Sequence, residues 1–188
     1  MKEIIQSHIE GHIELAHKFK EEMPDMESAA TVVIEAFRAG NKLLVAGNGG
    51  SVADAHHFVA ELVGRFKRER RALPAISLDA NPSAFTAISN DYSFGQVFAR
   101  QIEAIANTGD VFFGISTSGN SENILEAIKA ARNAGCKVVG LTGKTGGKMG
   151  GMCDFLINIP SEETPRIQEM HTLVIHTLSD LIENALSS

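Results

Sequence analysis

Apolar residues follow two rhythms along this chain, and the change from one to the other comes at Gly40. From residue 3 to about residue 20, Ile5, Ile9, Ile13, Ala16 and Phe19 recur every three or four positions, which predicts an amphipathic helix closed by Pro24. Ala29, Val32, Val33, Ala36 and Phe37 share a face over residues 26–38 and predict a second helix, terminated by Gly40. Beyond it the apolar runs become short and rich in β-branched residues. They fall at 42–46, 75–78, 111–115, 137–141 and 155–159 and predict five strands. Helical patterns at 51–64 and 121–133 separate them, so the expected fold is α/β: a three-layer sandwich with a five-stranded, mostly parallel sheet. A last helix at 165–186 carries Ile167, His171, Val174, Leu178, Leu181 and Ala185 at alternating four- and three-residue steps, a seam that wants a partner. The first and last helices are expected to pack between subunits in an oligomer, although packing in the core of their own subunit fits the pattern alone equally well.

A chain of 188 residues with 44% hydrophobic content can bury one substantial core, so 1–188 reads as one domain with residues 1–39 as a helical preface. No repeat, low-complexity tract or linker interrupts it. The excess of 23 acidic over 17 basic residues, a net charge of -6, argues against a nucleic-acid partner. The local run Arg65, Lys67, Arg68, Arg70 and Arg71 is either a phosphate attractor or a solvated surface. Cys136 and Cys153 have neither metal-finger nor CxxC spacing and come without an export signal, which predicts reduced thiols in a cytoplasmic protein. No apolar run approaches the ~20 residues that span a bilayer, so no membrane partner is expected.

Two segments have the chemistry of an anion site. The first predicted strand runs into Gly47-Asn48-Gly49-Gly50-Ser51 and then a helix, so that glycines let backbone N–H groups approach an anion at a helix start. An ordinary turn with Ser51 as the helix cap explains the same residues. The third strand runs into Ser116-Thr117-Ser118-Gly119-Asn120-Ser121, where four hydroxyl residues in six positions exceed what one cap requires. Neither segment is a Walker A loop or a dinucleotide fingerprint. In a parallel sheet both lie beyond the carboxyl ends of strands, where ligands bind.

His57 and Glu61, four residues apart, share a helix face and can hold a divalent metal. Gln168, Thr172 and His176 form a polar line on the last helix, displaced from its apolar seam. Together His57, Glu61, Gln168 and His176 offer a mixed nitrogen and oxygen shell. Eight helical residues nevertheless separate Gln168 from His176 by about 12 Å. Either the helix is locally distorted or neighbouring subunits share one site. His56 points about 100° away from His57 and reads as accessory or structural; His8, His12 and His17 are assigned no chemistry.

These motifs, with Asp54-Ala55-His56-His57-Phe58, Glu61-Leu62-Val63-Gly64-Arg65, Asn90-Asp91, Leu141-Thr142-Gly143 and Arg166-Ile167-Gln168-Glu169-Met170-His171, resemble the phosphoheptose isomerases of the sugar isomerase (SIS) fold superfamily over essentially the whole chain. The resemblance implies aldose–ketose isomerisation of sedoheptulose 7-phosphate to D-glycero-D-manno-heptose 7-phosphate for bacterial heptose and lipopolysaccharide synthesis. It implies a homotetramer with interfacial sites and one zinc per subunit. By motif it places zinc at His57, Glu61, Gln168 and His176. It places substrate at Asn48, Gly49, Gly50, Ser51, Glu61, Asn90, Asp91, Ser116, Thr117, Ser118, Ser121 and Gln168. An enediol route then needs a base on carbon, for which Glu61 is the candidate, and a proton carrier between oxygens, for which His176 is the candidate. The alternative is a non-catalytic adaptor of the same fold, the DnaA initiator-associating protein, whose pattern lacks the counterparts of Glu61 and His176. A sugar-phosphate sensor would need a fused DNA-binding segment that this short chain does not accommodate.

Overall fold

The computed structural model describes residues 1–22 and 24–187. Five strands, β1 (Leu43–Ala46), β2 (Ala75–Ser77), β3 (Val111–Ser116), β4 (Lys137–Thr142) and β5 (Phe155–Asn158), form one sheet in the order β2-β1-β3-β4-β5. Every pairing is parallel, so the sheet is more uniform than expected. Seven α-helices cover it: α1 (Lys2–Glu22), α2 (Met26–Arg38), α3 (Gly50–Val63), α4 (Pro82–Asp91), α5 (Ala99–Ile105), α6 (Glu122–Asn133) and α7 (Thr164–Leu186).

The strands carry continuous rather than alternating apolar runs because both faces of the sheet are covered. Adjacent residues of β3 show this: Phe113 packs with Phe37 of α2, Phe58 of α3 and Ile175 of α7, while Phe112 joins Phe98, Ile102 and Ile128 on the opposite face. Phe58 and Phe113 meet edge to face at 5.2 Å between centroids, the favoured aromatic geometry. The helices α1, α2, α3 and α7 therefore share one face with each other, and α5 and α6 the other.

The last helix departs from the narrow seam. Its buried face is a broad stripe through Ile167, Met170, Val174, Ile175, Leu178 and Ile182, whereas Leu181 is 40% exposed and Ala185 only half-buried. A helix lying on a globular core drifts at 3.6 residues per turn and uses a wider face than a two-helix seam. So α7 closes its own subunit's core. α1 divides differently: Leu15 and Phe19 are docked, while Ile4, Ile5, Ile9 and Ile13 are all more than half exposed. α4 and α5 lie in the stretch between the second and third predicted strands, where the sequence pattern gave no helix.

Cys136 and Cys153 are free, and burial pushes their thiols up to about 11 and about 12. Among the described residues no helix is long and apolar enough to cross a membrane.

Candidate active site

The strand order reverses at β1: the next strand in sequence, β2, lies on one side of it, and β3 lies on the other. In open parallel sheets this switch point opens a crevice beyond the strand ends. The two loops singled out in the sequence, after β1 and after β3, both leave the sheet there.

Neither loop spends its hydroxyls on capping. Gly49, not Ser51, holds the cap position of α3, and no side chain caps it; Ser51 is buried at 3% exposure. Gly49 has φ 57° and ψ -120°, a conformation that a side chain disfavours. At Gly50 an added Cβ would collide with the Gln168 amide, so the loop's bareness is what lets α7 approach. Ser121 occupies the cap position of α6, but its hydroxyl meets Ser116 Oγ at 2.8 Å instead of a helix N–H. Ser118 Oγ lies 3.5 Å from Ser116 Oγ and accepts the Asn120 N–H at 3.2 Å. The result is a cavity of about 300 Å³ lined by Asn48, Gly49, Gly50 and Ser51 from one loop, Ser116, Thr117 and Ser121 from the other, and Gln168 from α7. Hydroxyls, an amide and bare backbone at a helix N-terminus suit a phosphate without fixing a cation beside it.

A part-buried amide pair ties the first loop to the start of α6. Asn48 Nδ2 donates to Asn123 Oδ1 at 2.8 Å, and Asn123 Nδ2 donates back to Asn48 Oδ1 at 2.9 Å. Asn123, 2% exposed, escaped the sequence reading, because nothing local marks a pairing across 75 positions.

The second centre lies further along the same two helices. His57 Nε2 meets Glu61 Oε1 at 3.0 Å, and His176 Nε2 of α7 approaches His57 Nε2 to 3.2 Å. One ligand atom from each of His57, Glu61 and His176 falls within 4.8 Å of the others. Two imidazole nitrogens and a carboxylate oxygen at this spacing, all only partly buried, are a donor set that fits a divalent metal. Phe66 covers the far side of His176, with ring centroids 5.4 Å apart.

Between the two centres runs a rung. Thr172 Oγ1 donates to Asp54 Oδ1 at 3.2 Å, and Asp54 is 7% exposed with Oδ2 unpartnered. Burial pushes the Asp54 carboxyl up, against the Thr172 hydrogen bond and nearby His57. A signal for Asp54 existed in the sequence: it stands three residues before His57, one turn along α3.

Within one subunit Gln168 lines the cradle and His176 joins the His-Glu-His cluster. α7 is an unbroken α-helix from Thr164 to Leu186, so the expected local distortion is not what separates or joins them. Asn90 and Asp91 lie at the exposed end of α4, where Asn90 Nδ2 donates to Asp91 Oδ1 at 2.9 Å. Most of the basic run is engaged within the chain. Lys67 and Arg68 pair with Asp180 at 2.8 and 2.7 Å, and Arg71 donates to Phe37 O at 3.3 Å. His56 pairs with Asp79 at 2.6 Å, which supports its structural reading.

Comparison with known proteins agrees with this arrangement. Residues 9–143 match the SIS domain family. Phosphoheptose isomerases from Aliarcobacter butzleri and Helicobacter hepaticus are 52% and 50% identical; the first alignment covers 100% of both chains, the second 98% of this chain and 94% of the relative. The solved phosphoheptose isomerase of Neisseria gonorrhoeae superposes with a TM-score of 0.92 at 41% identity, covering 97% of this chain and 98% of that one. The one from Francisella tularensis gives 0.93 at 37% identity, covering 97% of each chain. With a hydroxyl-lined crevice at the switch point, a His-Glu-His cluster on the same helix pair and these full-length relatives, the chain belongs to the phosphoheptose isomerases of the SIS domain family.

Proposed function

We propose that this protein is an aldose–ketose isomerase that converts sedoheptulose 7-phosphate to D-glycero-D-manno-heptose 7-phosphate for bacterial heptose and surface-glycan synthesis. The observation that carries the reading is the pairing, on α3 and α7, of a hydroxyl cradle at one end with Glu61 and His176 at the other.

The cradle holds the phosphate through Ser51, Ser116, Thr117, Ser118 and Ser121 with the backbone of Asn48, Gly49 and Gly50. Glu61 takes the proton from the carbon beside the carbonyl and returns it to the neighbouring carbon. His176 moves the proton between the two oxygens, so that a ketose becomes an aldose with no net gain or loss of atoms. His57, Glu61 and His176, with Gln168 of the neighbouring subunit, would hold one zinc ion per subunit, which would supply polarisation of the substrate carbonyl.

Two helical turns, about 12 Å, lie between Gln168 and His176, too far for both to reach one metal ion from the same unbroken helix. A neighbouring subunit resolves this: the cradle and Gln168 of one subunit face the His57, Glu61 and His176 of another, with Asn90 and Asp91 reaching substrate in the assembly. This reading takes residues 1–188 as one domain in a cytoplasmic homotetramer with interfacial sites. The adaptor alternative is disfavoured because Glu61 and His176 are both present and lie together.

The test is direct. Purified protein with zinc and sedoheptulose 7-phosphate should form the aldose; a chelator should suppress it. Glu61→Gln should lower kcat by at least about 10²-fold, the usual worth of a positioned base, while sugar-phosphate binding persists. Near-normal turnover in Glu61→Gln removes the assignment.

A further inference from the structure

Two buried charges take no part in this chemistry. Glu183, near the end of α7, is fully buried, and the side chain of Arg70, on the connection from α3 to β2, is 1% exposed. Burying a charge is costly unless it is paired and hydrogen-bonded, so the partners of these two reveal what they secure.

Glu183 Oε1 accepts the Phe66 N–H at 2.9 Å, and Oε2 accepts those of Lys67 and Arg68 at 2.7 and 2.8 Å. Burial pulls this carboxyl upward, but the three N–H donors and Arg70 outweigh it and hold it below the usual carboxylate range. Arg70 Nε makes no hydrogen bond but lies in an ion pair 3.4 Å from Glu183 Oε1. Its guanidinium then reaches the end of α3: Nη2 donates to Glu61 O at 2.7 Å, and Nη1 to Gly64 O at 2.9 Å and Arg71 O at 3.0 Å. A cation on the free carbonyls of a helix C-terminus satisfies acceptors that have no helical partner and favours the helix dipole.

The node therefore grips both reacting side chains without touching either one's functional group. Glu61 is held through its own carbonyl. His176 is held through Phe66, whose backbone N–H is fixed by Glu183 and whose ring lies against the imidazole. We propose that Arg70 and Glu183 are positioning residues that set Glu61 and His176 for proton transfer. The inference rests on the isomerase reading. It makes a separate demand: the node sits at the catalytic end of the α3 and α7 pair, away from the cradle, so losing it should impair turnover and spare phosphate binding.

The experiment uses the full-length, zinc-loaded protein at a temperature where circular dichroism shows it folded. Glu183→Gln should lower kcat about 10-fold or more, since small misplacements of reacting groups are costly, with KM and inorganic-phosphate affinity unchanged within twofold. Ile128→Val, in the core on the opposite face of the sheet, should leave kcat unaltered at comparable loss of melting temperature. Phe66→Leu should lower kcat as well, and the two effects should be less than additive, because the Phe66 contact with His176 is common to both. The His176 ring-proton resonances should move in both variants, a readout that needs no turnover. Unchanged kcat, additive effects, or unmoved His176 resonances in an active wild-type background overturn the proposal. If Glu183→Gln does not fold, Phe66→Leu decides alone: normal kcat with unmoved resonances overturns it. An inactive wild type instead removes the isomerase reading on which it stands.

Discussion

His171 is fully buried in α7, where Nε2 donates to Thr142 O at 3.4 Å and Nδ1 has no partner. Burial lowers its pKa from 6.5 to about 4, against the pull of the Thr142 hydrogen bond. The unfolded chain thus binds a proton between those two values that the folded chain refuses. Stability should fall as pH drops from about 6.5 to about 4, by at most roughly 3 kcal/mol from this residue, and level off below. His171→Asn should flatten that part of the curve in denaturant titrations; an unchanged slope contradicts the neutral buried assignment. In the sequence His171 stood on the seam and its burial was readable. Glu183 and Asn123 were not, because a buried polar residue shows its meaning only through partners far along the chain.

At the level of elements, the loop from β1 to α3 depends on backbone shape. Gly49 holds a positive φ of 57° that other residues adopt only under strain, so Gly49→Ala should cost about 1–3 kcal/mol. It should also weaken inorganic-phosphate binding, as isothermal titration would measure, since the N–H groups of the cradle shift together. Full affinity in this variant would remove the backbone from the anion site. The strands and α2, α3, α6 and α7 were legible because their apolar periodicity coincides with burial. α4 was not: it buries none of its residues fully, and its apolar side is little more than Phe85 and Ile88 at the margin of the core. Its signal was chemical, Asn81 accepting from Ala84 N–H at 3.1 Å with Pro82 in the first turn, the composition of a helix start. The α7 seam was legible as a helix but misplaced in face, since heptad spacing and a broad core stripe share Ile167, Val174 and Leu178.

For the whole molecule, the exposed Ile4, Ile5, Ile9 and Ile13 of α1 are more apolar surface than one isolated helix face usually leaves in water. Ile9→Glu with Ile13→Glu should split the proposed tetramer in light scattering and abolish turnover with it, while circular dichroism stays native; an active monomer would contradict interfacial sites. The cradle and the His-Glu-His cluster were each readable from motif spacing. Their separation along two straight helices was readable only as a length, about 12 Å between Gln168 and His176, and that length is what calls for a second subunit.

Mixing two inactive variants tests this most directly. Glu61→Gln retains an intact cradle, and Ser116→Ala with Ser118→Ala retains an intact Glu61 and His176. Unfolded together and reassembled at equal ratio, they should regain activity in about a quarter of the sites, because a random assembly pairs an intact cradle with an intact proton-transferring pair that often. No recovered conversion of sedoheptulose 7-phosphate, from a mixture shown by mass to contain mixed assemblies, would contradict a site built from two subunits.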